Sequence, residues 1–234
     1  MAAPTLISYT EVASWATTGT SKSTASVSWN SGDVITVVAG SEGGNNGTLG
    51  TPTATGLTFA KNQDITANGG TRCAAFTATA VAGSNSSGSI QVTNSNSGEH
   101  WGFGVFVHRS STGAGNSAQQ ATSTKTKALT PTAADGAIVW GVFDFNADAA
   151  GSGTPSPTNT RQAAQDAGHY TRLVCDLADQ TSSGSVSYGQ SGGGTTGPFS
   201  IVIQEIKNDG GGGATVTYPE LERHLRGVGR GVLS

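Results

Sequence analysis

The sequence predicts an all-β protein: a two-sheet sandwich built from two related halves, with a short helix at the C-terminus. Three observations predict it. Short runs of Val, Ile, Phe and Trp recur between clusters of Gly, Asn, Ser and Pro; the order of these runs repeats after about a hundred residues; and apolar residues alternate along several runs. The chain has 234 residues, enough for one large sandwich with a real core. Only 12% of residues are charged and 35 are Gly, with Ser and Thr supplying much of the remaining polar surface. A disordered chain of similar polarity would lack the recurring apolar runs.

In chain order, strands are expected at 5–9, 24–29, 33–40, 57–60, 71–79, 88–93, 101–108, 125–130, 136–145, 169–177, 184–188 and 198–206, with no helix before residue 219. In 101–107, Trp101, Phe103, Val105 and Val107 share one parity and are assigned to the core, as are Val27 and Trp29 in 24–29. The run 136–145 is apolar at both parities: Val139, Phe143 and Phe145 on one face, Ile138, Trp140 and Val142 on the other. Both faces must therefore be covered, either by the N-terminal segment 5–17 with Leu6, Ile7, Tyr9, Val12 and Trp15, or by a neighbouring subunit.

The repeat is ordered. Gly32-Asp33-Val34-Ile35 is echoed by Asp135-Gly136-Ala137-Ile138, Gly50-Thr51-Pro52-Thr53 by Gly153-Thr154-Pro155-Ser156, and Thr71-Arg72 by Thr171-Arg172. Ser86-Ser87-Gly88-Ser89-Ile90 returns as Ser182-Ser183-Gly184-Ser185-Val186, and Phe103-Gly104-Val105-Phe106-Val107 as Phe199-Ser200-Ile201-Val202-Ile203. Two halves, about 24–109 and 125–207, with five strands each, suit a jelly-roll-like sandwich in which related Greek keys interlock over residues 1–208, with two separate five-stranded domains as the alternative. Residues 110–124 are expected to be a polar crossing between the halves.

The charge of −3 offers no basic field for nucleic acid, so DNA and RNA are not expected partners. No segment reads as a signal peptide or membrane span. Synthesis in a cytoplasm then predicts that Cys73 and Cys175 stay as buried thiols. Asp144-x-Asn146-x-Asp148 opens like a calcium loop, but Pro155 stands where the bidentate acid belongs, and an Asx-rich turn is the expected structure. Glu99 and His100 beside Trp101 have the composition of a carbohydrate site, and equally that of a strand start before a core Trp. His108, His169 and His224 fall at no metal-ligand spacing with either Cys. No nucleophile elbow or phosphate loop is present, and no pair of acids stands out for glycoside hydrolysis. No enzyme activity, cofactor or metal is expected.

Through these paired strands, the Ser-Ser-Gly-Ser turns at 86–89 and 182–185, and its Ala, Gly and Thr bias, the chain over 5–207 resembles jelly-roll virion proteins of tailed bacteriophages, particularly phages of actinobacterial hosts. The resemblance implies a non-enzymatic structural role in the virion, as a minor tail, fibre or head decoration protein. It also implies other virion proteins as partners, and homo-oligomerisation. A module recognising host surface glycans is the alternative. After a linker at 209–213, residues 214–234 are expected to form a docking tail. Pro219 opens its helix, Leu221, Leu225, Val228 and Val232 form one apolar stripe, and Arg223 and Arg226 lie toward the negative helix end. These six stripe and arginine positions are the expected partner-docking residues.

Overall fold

The computed structural model describes residues 3–12, 15, 17–41, 47–65, 74–122, 124–132, 134–144, 153–166, 172–180, 184–192 and 199–209. Every regular element among them is a strand. The first half contains β1 (Thr5–Glu11), β2 (Ser21–Ser23), β3 (Val27–Trp29), β4 (Val34–Ser41), β5 (Ala60–Ile65), β6 (Ala74–Val81), β7 (Ser86–Gly88), β8 (Gln91–Thr93) and β9 (Trp101–Arg109). The second contains β10 (Ser111–Thr122), β11 (Thr126–Leu129), β12 (Gly136–Asp144), β13 (Gly153–Ser156), β14 (Gln162–Asp166), β15 (Arg172–Gln180), β16 (Val186–Gly192) and β17 (Phe199–Asn208).

Two antiparallel five-stranded sheets form the centre, ordered β1-β9-β4-β6-β5 and β10-β17-β12-β15-β14. The order is the same: in each half the first strand pairs with the last, and the last with the strand whose sequence carries the Asp-Gly echo. The sheets pack face to face, with β4 against β12, β6 against β17 and β5 against β10. Outside each lies a second, smaller layer. The second half has β11-β16-β13, while the first has two short pairs, β2-β8 and β3-β7, extended by bridges from Leu49 to Asn94 and from Thr53 to Gln91.

Strand pairing differs from the interlocked arrangement expected above. Among the described residues each half supplies all strands of its own sheets, and the halves meet through side chains. The approach is close because small residues face large ones. A Cβ on Gly40 would run into the Phe143 ring, and one on Gly141 would lie 2.7 Å from Val38 Cγ1.

The expected polar crossing at 110–124 is instead mostly β10, an edge strand of twelve residues paired along β17 with two bulges. Its sequence, Ser-Thr-Gly-Ala-Gly-Asn-Ser-Ala-Gln-Gln-Ala-Thr, has no large apolar residue to mark a strand. The pairing comes from the backbone, and one side of the strand stays open to solvent. Ser110 alone, at φ 60°, separates β9 from β10.

β12 is covered on both sides. Ile138, Trp140 and Val142 pack into the outer layer, where Trp140 lies 5.5 Å from Tyr188 between ring centroids. Val139 and Phe143 face the first half, and Trp15 stacks on Phe143 at 6.0 Å and 20°. β9 is also buried on both faces, since Gly102, Gly104, Phe106 and His108 are buried as fully as the residues of the expected core parity. Glycines and a histidine at alternate positions conceal that second face. Gly102 and Gly104 leave room for Trp15 and Tyr9, each of which a Cβ would meet.

Candidate functional site

Among the described residues, the most heavily bonded ionisable side chains lie inside the protein. Where β9 of the first half meets β15 of the second, Asp176 is completely buried. Its Oδ1 accepts from His108 Nε2 at 2.7 Å and from Arg161 Nη2 at 3.1 Å, and its Oδ2 accepts from Arg161 Nε at 2.6 Å. Arg161 Nη1 also donates to the Pro4 carbonyl at 2.9 Å, tying the start of the chain to the second half. Burial alone would raise the Asp176 pKa, but the hydrogen bonds and charges of His108 and Arg161 outweigh it and hold the carboxyl below its ordinary value. A carboxylate beside an imidazole has the makings of a base relay, yet His108 is itself fully buried and its Nδ1 meets no hydrogen-bonding group among the described residues. With Asp176 and His108 both buried, the cluster bonds β9 of the first half to β15 of the second.

Other acids are similarly engaged. Glu99, completely buried, accepts from the Gly47 amide at 2.8 Å and from Asn94 Nδ2 at 3.3 Å. Trp101 beside it is fully buried, donates to the Gly19 carbonyl at 2.6 Å and carries the Lys22 ammonium 5.1 Å above its ring. The two-way reading of Glu99-His100-Trp101 therefore resolves as a strand start before a core Trp, with no ring displayed to a sugar. Glu205 accepts from the Thr132 amide at 2.9 Å, from the Thr132 hydroxyl at 2.7 Å and from the Asn116 amide at 2.7 Å, closing the loop before β12 onto β10 and β17. Asp33 takes a two-point contact from Arg109, both bonds 2.9 Å, which keeps the carboxyl below its usual range despite burial.

Cys175 is a buried free thiol, its pKa pushed up by burial and the neighbouring Asp176 charge. By strand pairing its counterpart in the first half is Ala78, since Val37 pairs with Ala78 as Trp140 pairs with Cys175. Cys73 lies outside the described residues, as do Asn146 and Asp148 of the calcium-like stretch and Leu221, Arg223, Leu225, Arg226, Val228 and Val232 of the docking tail. Among the described residues no group of three His, Cys, Asp or Glu side chains is gathered as a metal would require.

Two matched cation–ring contacts have no motif to mark them in the sequence. Lys125 sits 5.4 Å above Phe199 as Lys22 does above Trp101. Trp101 pairs with Ser41 and Phe199 with Asp144 at the same ends of their sheets. The visible echo of Phe103 with Phe199 is thus displaced by two residues from the structural equivalence, and only the parity survives.

None of the protein-family models, curated proteins or solved structures compared with this chain matches it.

Proposed function

We propose that each half is a jelly roll, and that the chain is a non-enzymatic structural component of a tailed-phage virion, of the minor tail or capsid decoration kind. In this reading it attaches to neighbouring virion proteins, or to further copies of itself, through residues 214–234. The jelly-roll reading draws support from strand order, because β1-β9-β4-β6 and β10-β17-β12-β15 both interleave early and late strands as paired Greek keys do.

The observation that carries the structural role is where the reactive and aromatic groups are used. Asp176, His108, Glu99 and Glu205 are buried and bonded internally, while Trp101, Trp140 and Tyr188 fill the cores. Ile7 and Val81 are the large apolar side chains that stand exposed among the described residues, and they form no platform. Such a block offers shape and rigidity, and its attachment would rest on the tail.

Native mass spectrometry of the full chain and of residues 1–208 tests this. The full chain is expected to form a discrete oligomer, or to enter particles, and the truncated one to remain a folded monomer. Leu221→Asp with Leu225→Asp should reproduce the truncation. Normal assembly of that double variant would end the proposal. The glycan-binding alternative is favoured by one feature, a polar groove on the outer layer of the first half.

A further inference from the structure

We infer that a groove on the outer layer of the first half is a binding site for a neutral saccharide. It lies where that layer breaks between the pairs β2-β8 and β3-β7, has a volume of about 450 Å³, and is lined by Ser23, Thr53, Ala54, Thr55, Ser89 and Gln91. That size suits a small ligand.

The lining selects the chemistry. None of the six residues ionises, so neither an anion nor a cation finds a counter-charge. None is a large apolar residue, so a lipid tail or an aromatic side chain gains little by entering. The lining offers four hydroxyls and one carboxamide, donors and acceptors in equal standing, as a ring of sugar hydroxyls requires.

These groups are also unused. Among the described residues the side chains of Ser23, Thr53, Thr55, Ser89 and Gln91 make no hydrogen bond, and all five are exposed. Elsewhere on the surface comparable groups are occupied: Ser31 donates to the Gly83 carbonyl, Ser95 accepts from the Thr48 amide, and Gln120 donates to the Thr126 carbonyl.

The floor is fixed by backbone bonds. Thr53 and Gln91 exchange two, each 2.9 Å, and the Ile90 amide donates to Thr24 Oγ1 at 3.1 Å while Thr24 N donates back to the Ile90 carbonyl at 3.0 Å. Gly56, at φ 78°, closes the turn between Ala54 and Leu57 that holds Thr55 at the rim. A ligand would thus meet a backbone already fixed, with little backbone ordering left to oppose binding.

Among the described residues, the corresponding place in the second half is filled. There Gly189 occupies the position of Gln91, as the pairings of Thr53 with Gln91 and of Ser156 with Gly189 show. The space of a side chain at Gly189 is taken by the Lys125 and Thr126 backbone, and β11 runs on unbroken beside β16.

The test is titration of isotope-labelled full chain, followed by amide NMR, with neutral trisaccharides of glucose, galactose, mannose and arabinose at millimolar concentration. At least one should shift the amides of Ser23, Thr53, Thr55, Ser89 and Gln91. Thr55→Ala with Gln91→Ala should weaken that sugar about tenfold, as the loss of two neutral hydrogen bonds implies, and should leave the amide spectrum elsewhere unchanged. Absence of shifts with all four sugars, shifts mapping to other surfaces, or unaltered binding by the double variant would each overturn the site. Equal binding of trigalacturonate would overturn its neutral selectivity. Virion assembly is read separately from sugar binding, so either reading can fail without the other.

Discussion

Asp176 ties distant parts of the molecule together: its oxygens accept from His108 on β9 and from Arg161 before β14, and that same arginine reaches the Pro4 carbonyl near the chain start. Its folded-state pKa lies below the ordinary 3.8. A carboxyl depressed on folding stabilises the native state above its unfolded pKa, and that stabilisation is lost as pH falls through the folded value. The loss therefore belongs to the range below about pH 3.8. Asp176→Asn should cost roughly 1 to 3 kcal/mol at neutral pH, since it weakens the hydrogen bonds to buried His108 and to Arg161, whose side chain is partly open to solvent. It should also make the acid limb shallower, with the remaining slope due in part to Asp33, whose carboxyl Arg109 likewise holds low. Urea unfolding of both proteins at neutral pH and on the acid side of pH 4 checks both; an unchanged acid slope in the variant would remove Asp176 from the account.

Among the elements, β4 and β12 matter most, since they lie opposite each other at the centre of the contact between sheets. Their fit depends on Gly141, where a Cβ would stand 2.6 Å from the Phe143 ring and 2.7 Å from Val38 Cγ1. Gly141→Ala is expected to destabilise by about 1 to 3 kcal/mol through overpacking. Gly83→Ala, with nothing within 4 Å of the added carbon, should be close to neutral in the same urea titration. A loss at Gly83 equal to that at Gly141 would mean that packing is not the cause.

These two central strands were legible in the sequence because their apolar runs are dense and open on Asp and Gly. β10, β13 and β14 were not, since edge strands of Ser, Thr, Ala, Gly and Gln are held by backbone pairing that leaves no apolar signature. β9 was read on one face only, because Gly102, Gly104 and His108 do not signal burial until Trp15, Tyr9 and Asp176 are seen to fill the space beside them. The groove at Ser23 and Gln91 was illegible for a related reason: it is made by a gap between strand pairs, and a gap has no residue type.

At the scale of the whole molecule, the question is whether two halves that build separate sheets behave as one body. Ser110 alone connects β9 to β10, too short a joint to let the five-stranded sheets swing apart. The contact between them is a continuous packed core, in which Val139, Phe143, Val174, Val202 and Ile206 of the second half join the cluster of the first. Arg161 and Asp176 add bonds that cross the same boundary. Separating the halves would expose that apolar surface and strand the Asp176 carboxylate away from His108, so an intermediate with one half folded carries a heavy penalty. A single cooperative unfolding transition is therefore expected, with the calorimetric enthalpy equal to the van't Hoff enthalpy and with matching midpoints for tryptophan fluorescence and far-ultraviolet dichroism. The four tryptophans make the comparison informative, because Trp29 and Trp101 report on the first half's outer core, Trp140 on the second's, and Trp15 on the seam between them. Two resolved transitions, with the fluorescence change divided between them, would show that the seam is weaker than its burial implies and that the halves are independent domains.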